Sequence, residues 1–219
     1  VKIKASYDDI FARCRETGMF GVAVASSSPA VAARCAYARA GVGAVASQNV
    51  TDPALGPAAL DLMQAGATAA EAVAIVARST PHRDFRQLLC VDAAGMTGVH
   101  SGSRALGIWA DSQGPDVACG GNLLANDGVP GAMVAAFAAS SGHLGDRIVA
   151  VMRAALAAGG EAGPVHSAGM MVVREVAWPV ADLRCDWTEA CPVEAVAAAG
   201  EGYKPQLDAY VTRAPDPSA

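Results

Sequence analysis

The sequence predicts an α+β protein with mainly antiparallel sheets covered by pairs of helices. Three observations lead there. The chain opens with a strand–turn–strand pattern, a second such pattern surrounds Ala94-Gly95, and Ala-rich helical stretches fall in pairs between the strands. Strict strand–helix alternation, which builds doubly wound parallel sheets, is absent. A chain of 219 residues with 53% apolar content can bury a full core without staples, and it is no disordered tail.

In order along the chain, Tyr7 to Cys14 reads as a strand, Arg15-Glu16-Thr17-Gly18 as a turn, and Met19 to Ser26 as the returning strand. Ser28-Pro29 predicts the start of a helix running towards Ala40, with Pro at a favourable early position. Gly41 to Ser47 is small, apolar and punctuated by Gly, as in a buried strand, and a polar loop follows over 48–53. Helices are predicted near Gly56 to Gln64 and Thr68 to Arg78, the second with Thr68 and Glu71 at capping-box spacing. Strands are predicted at Arg86 to Asp92, Met96 to His100, Leu106 to Ala110 and Asp116 to Gly120. Two more helices are read over Gly131 to Ala139 and Asp146 to Ala158, with Gly159 as the stop. Strands at Met170 to Arg174 and Asp182 to Asp186 lead to a short helix near Pro192 to Ala199 and a Pro-containing tail. The organisation expected is one domain over 1–190 and an appended helix and tail over 191–219.

Charge and cysteine usage exclude several classes. A net charge of -5 leaves no basic footprint for nucleic acid or an anionic membrane. No uncharged apolar run approaches the ~18 residues of a membrane span. The six cysteines are scattered without a Cys-x-x-Cys, so neither a zinc site nor a disulfide framework is expected, and buried thiols suit a reducing cytoplasm. The chain begins with Val1, compatible with Met removal or other processing, and shows no secretory leader pattern. Motifs for nucleotide, metal or cofactor binding are absent, so neither a metal nor a cofactor is expected.

The strongest local signal is Ser47-Gln48-Asn49-Val50-Thr51-Asp52, which follows a buried strand and precedes a helix. Amide and hydroxyl groups there can serve a site, although a turn and helix cap would need only Asn49 or Asp52. Ser26, Ser28, Arg86, Gly121 and Asn122 occupy comparable strand-edge positions. An Arg there can clamp a carboxylate, or form a surface pair. Of the four His, His100 alone ends a strand where it can reach a cleft.

Ala12-Arg13-Cys14, Thr17-Gly18-x-Phe20-Gly21, Gln48-Asn49-x-Thr51-Asp52-Pro53, Phe85-Arg86-Gln87, Gly121-Asn122-x-Leu124 and Ser167-Ala168 follow one another in an order that resembles domain-of-unknown-function family 1028. The resemblance spans roughly residues 7 to 190. It implies a four-layer αββα sandwich of the N-terminal-nucleophile (Ntn) hydrolase type, whose members use a terminal Thr, Ser or Cys with its own amine as base. Family members commonly open with Thr-Phe-Ser-Ile before the Ala-Arg. Here Tyr7 stands at the Thr position, and Ser6, preceded by Ala5, is the nearest hydroxyl. The resulting expectation is a cytoplasmic hydrolase of small-molecule amides. Ser6 is the nucleophile, and Asn49 and Asp52 are catalytic partners. Ser26, Ser28, Gln48, Thr51, Arg86, His100, Gly121 and Asn122 hold the substrate. The alternative is a ligand-binding or assembly protein that has lost its nucleophile. Closely packing Ala-faced helices favour a homo-oligomer in either case.

Overall fold

The computed structural model describes residues 7–218. Ser6 therefore lies outside the described residues. Two antiparallel sheets organise the chain. The first sheet is built from β1 (Tyr7–Arg13), β2 (Phe20–Ser26), β7 (Ala110–Gly114), β8 (Val117–Asn122), β9 (Ser167–Val173) and β10 (Ala181–Cys185), in the order β10-β9-β2-β1-β8-β7. The second contains β3 (Ala36–Arg39), β4 (Gly43–Asn49), β5 (Arg86–Asp92) and β6 (Thr97–Ser101), in that spatial order. The helices are α1 (Ala32–Cys35), α2 (Leu55–Gln64), α3 (Ala69–Ser79), α4 (Val129–Ala139), α5 (Leu144–Ala157), α6 (Pro192–Tyr203) and α7 (Leu207–Arg213). The α+β class with antiparallel sheets is as the sequence predicts.

Side-chain alternation along each strand divides the core into three clusters. Ile10, Ala23, Cys119 and Met170 pack with Met133, Ile148 and Val196 of α4, α5 and α6. The opposite faces of those strands supply Phe11, Val22, Val24 and Ala118, which meet Ala44, Ala46, Leu89 and Val91 of the second sheet. Val45, Leu88 and Cys90 turn the other way, onto Leu60 of α2 and Val73 and Val76 of α3. The strands β1, β2, β4 and β5 thus bury both faces, which is why they read as nearly continuous apolar runs.

The turns follow their chemistry. Asp92 Oδ1 accepts from the Ala94 and Met96 N–H groups and closes the β5–β6 hairpin, while its Oδ2 accepts from Ala69 N–H at the start of α3. The capping box at Thr68 and Glu71 is formed in both directions.

Two predicted elements differ. The long helix expected over 28–40 is only the short α1, followed by β3. Ala30 adopts φ 51 and Gly41 φ 71, so the chain is broken before the helix and turned back after it. The turn pairs Ala36 with Ala46 and Arg39 with Gly43. Sheet pairing outweighs the helix preference of alanine, a difference of only a few tenths of a kcal/mol per residue. The strand expected over 106–110 is a loop, and β7 starts at Ala110. That loop is pinned instead by Leu123 and Leu124 N–H groups donating to Leu106 O and Ile108 O. Among the described residues, no helix is long and apolar enough to cross a membrane.

The six cysteines are free thiols, four of them buried. Burial pushes the Cys90 thiol up to about 12, helped by the neighbouring Asp92 charge. The same cause raises Cys119, with Asp9 adding to it. Neither is a ready nucleophile.

Candidate functional site

The inter-sheet face becomes polar at one end of the molecule. On β1, Phe11 faces the second sheet and Ile10 and Ala12 face the helices. Alternation therefore turns Asp9 between the sheets and Asp8 towards the helices. The same rule, anchored on Val24, Ala46, Leu89, Ala118 and Met171, brings Ser26, Gln48, Gln87, Asn122 and Ser167 between the sheets. Every one of these polar residues is buried.

Their hydrogen bonds fix the geometry. Gln48 Nε2 donates to Gln87 Oε1 at 2.9 Å across β4 and β5. Gln87 Nε2 donates to Ser101 Oγ at 3.1 Å and to Gly121 O at 3.2 Å, so this one amide ties the two sheets together. Gly121 pairs with Asp8 in the β1–β8 ladder, and Asn122 pairs with Tyr7. The end of β4 and the start of β1 consequently lie at the same end of the two sheets. Ser167 Oγ donates to Ser28 O at 2.5 Å and accepts from Val31 N–H, while Ser26 Oγ accepts from Ser28 N–H at 2.9 Å.

Two carboxyl groups sit in this region. Asp9 is fully buried, and neither of its carboxyl oxygens has a hydrogen-bond partner among the described residues. Burial drives its pKa well above the usual carboxylate range, and the Asp8 charge adds to the shift. Asp8 is pushed up to about 7, first by burial and then by the Glu161 charge, with a hydrogen bond from the Glu161 backbone acting against them. Glu161 Oε2 also accepts from Ser27 N–H at 2.9 Å. Gly160 leaves room for this carboxyl, since a Cβ there would lie 3.3 Å from Asp8 Oδ2.

The residues singled out in the sequence fall into two groups. Ser26, Gln48 and Asn122 face the space between the sheets, and Gly121 contributes its carbonyl there. Asn49, Asp52, Arg86 and His100 lie on the other side of the second sheet or in its loops. Asn49, held at φ 71, donates from Nδ2 to Phe85 O at 2.7 Å and accepts Leu106 N–H at Oδ1. Both ends of its amide are used in joining loops. Asp52 caps the approach to α2 through Ala54 N–H and lies 3.9 Å from Arg86, whose guanidinium also donates to Val50 O. His100 Nε2 bonds to Arg83 O at 2.9 Å. Thr51 Oγ1 lies 3.4 Å from Cys35 Sγ, and Ser28 is held through its backbone as described.

Asp8, Asp9, Gln87 and Ser167 were not among the site residues read from the sequence. The available signal was Tyr7-Asp8-Asp9-Ile10-Phe11, where acids occupy both faces of a strand whose following residues are apolar on both faces. Among the described residues, no group of three or more His, Cys, Asp or Glu is placed to hold a metal ion. What the arrangement offers is a set of amides and hydroxyls that can orient a carbonyl group, beside a carboxyl that favours its protonated form.

The fold and this polar edge place the chain among mixed α+β proteins with paired antiparallel sheets. The model of a family of unknown function, DUF1028, matches residues 9–196, and the chain belongs to that family. The crystal structure of a DUF1028 protein from Silicibacter pomeroyi is similar, with a TM-score of 0.85 at 27% identity, covering 92% of this chain and 90% of that one. A weaker likeness is to Anbu (ancestral beta-subunit) from Yersinia bercovieri, with a TM-score of 0.40 at 12% identity over 92% of this chain and 96% of that one. No curated protein matches.

Proposed function

We propose that this protein is a cytoplasmic, homo-oligomeric hydrolase of a small-molecule amide bond, built on the four-layer αββα sandwich of the Ntn-hydrolase type. One observation carries the reading: buried amide, hydroxyl and carboxyl groups converge between the sheets at the end where β1 begins. In this mechanism Ser6, one residue before β1, supplies the nucleophile once its amine is freed by cleavage after Ala5. Its α-amino group, with an ordinary pKa near 7.7–8.0, takes the hydroxyl proton. Asn122 and Gln48 orient the scissile carbonyl and stabilise the oxyanion, and Ser26 and Ser167 line the approach. Burial disfavours the charged form of Asp9, which lessens negative charge beside the developing oxyanion. Asn49, Asp52 and Arg86 act as positioning residues behind β4.

The test is a panel of small amides followed by mass spectrometry, with wild type, Ser6→Ala and Gln48→Leu compared. Turnover by wild type that drops about 100-fold or more in Ser6→Ala supports the hydrolase. Equal turnover by wild type and Ser6→Ala overturns it.

The second reading, a ligand-binding protein without turnover, has its own support. The Gln48 and Gln87 amides are engaged with each other and with the two sheets. A compound that binds tightly but emerges unchanged favours that reading.

A further inference from the structure

On the far face of the first sheet, away from the polar edge, α5, α6, β9 and β10 border a half-open cavity of about 370 Å³. That volume falls within the range of small-molecule sites. Its floor is apolar: Val149, Met170, Val172, Ala181, Leu183 and Leu207. On the α6 side the lining is small, Ala197, Ala198 and Gly200, with Ala198 at the solvent-exposed rim.

Among the lining residues, two ion pairs join α5 to the start of α6 and to Lys204 just after it. Arg153 grips Glu194 with both prongs, at 2.8 and 2.6 Å, and Lys204 Nζ meets Asp146 Oδ2. These side chains are about half exposed, at 54% and 51% for the first pair and 48% and 44% for the second. Exposed pairs of this kind are worth little and open readily. Glu201 adds a further negative charge that acts on both Arg153 and Lys204. His143 also lines the mouth. Its Nδ1 accepts Gly145 N–H at 3.1 Å, which leaves the proton of the neutral ring on Nε2 as a donor.

We infer that this cavity binds a free α-amino acid with an apolar side chain. The side chain occupies the floor, and the zwitterionic head replaces the Lys204–Asp146 pair. The argument is one of charge accounting. Opening that pair leaves one cation and one anion at the mouth. A carboxylate alone makes one charge-assisted contact, with Lys204, and an amine alone makes one, with Asp146. An ammonium and a carboxylate on one carbon make both contacts at once, and Glu201 favours the ammonium. The inference is independent of the amide-hydrolase reading, because none of these residues belongs to the inter-sheet edge.

The experiment is calorimetric titration of the full chain with L-leucine, L-phenylalanine, 4-methylpentanoate and isopentylamine. Saturable binding of the two amino acids is expected, with each singly charged analogue weaker by about tenfold or more. Ala198→Trp, which places an indole in the cavity from a solvent-facing position, is expected to abolish binding while the circular dichroism spectrum stays unchanged. The double change Lys204→Gln with Asp146→Asn is expected to weaken the amino acids to the level of the analogues. Absence of any heat from the amino acids with wild type overturns the inference. So does equal binding of the singly charged analogues, or amino-acid binding that survives in folded Ala198→Trp protein.

Discussion

Asp8 and Asp9 share one strand, yet they meet different environments, because successive side chains on β1 face opposite sides. Their shifts make a stability prediction whose sign is the reverse of the common one for carboxylates. An Asp titrating at about 7 in the folded chain, against an ordinary 3.8, binds more protons folded than unfolded between those values. The contribution of Asp8 to folding stability is therefore fully present below about pH 4 and is lost as pH rises towards 7, by up to roughly 1.4 kcal/mol per pH unit. Asp9, shifted in the same direction, adds to the slope. Replacing Asp8 with Asn is expected to flatten the dependence of the urea midpoint on pH between 4 and 7, and the double Asp8→Asn, Asp9→Asn variant to flatten it further. A midpoint that rises with pH across that window in wild type and variant alike contradicts this assignment.

At this scale the sequence revealed the strand-end hydroxyls and amides, Ser26, Gln48 and Asn122, because polar groups ending apolar strands stand out without knowledge of the fold. It hid Asp8 and Asp9, because their meaning depends on both faces of β1 being covered. That is settled only by the second sheet and α5. It also assigned the catalytic roles to Asn49 and Asp52 and only substrate binding to Gln48, although Gln48 and Asn49, as neighbours on β4, face opposite ways.

Elements read most clearly where local chemistry and tertiary placement agree. The capping box at Thr68 starts α3 as its spacing predicts, and Thr68→Ala is expected to cost about 1 kcal/mol in chemical denaturation. Agreement fails at 36–39, where alanines that favour a helix lie in the edge strand β3. The deciding factor is the return turn and the partner β4, neither of which a local window contains. Close approaches between elements were equally hidden. At Gly98 of β6, an added Cβ would lie 2.4 Å from Ala69 O at the start of α3, a contact with backbone that cannot rotate away. Gly98→Ala is expected to destabilise by about 1–3 kcal/mol through forced separation of β6 from α3, measurable as a lowered urea midpoint.

The molecule as a whole is held by two kinds of link between its sheets and helices. Apolar clusters supply most of the burial, and Gln87 supplies a polar tie from β5 to Gly121 of β8. Gln87→Leu removes that tie and leaves the Gln48 amide and the Gly121 carbonyl short of a partner in a buried space. A loss of about 1–3 kcal/mol in urea unfolding is expected. The segment after residue 190 belongs to the core, since Val193, Val196 and Leu207 pack with residues of β9 and α5. The proposed amide hydrolase turns on the beginning of the chain, since that proposal requires Ser6 to be freed as the nucleophile. Its most direct test is the intact mass and N-terminal sequence of the purified full-length chain after incubation, with Ser6→Ala in parallel. The account predicts wild-type protein beginning at Ser6 and a variant that retains its preceding residues. Wild-type protein that keeps those residues while still hydrolysing an amide contradicts it.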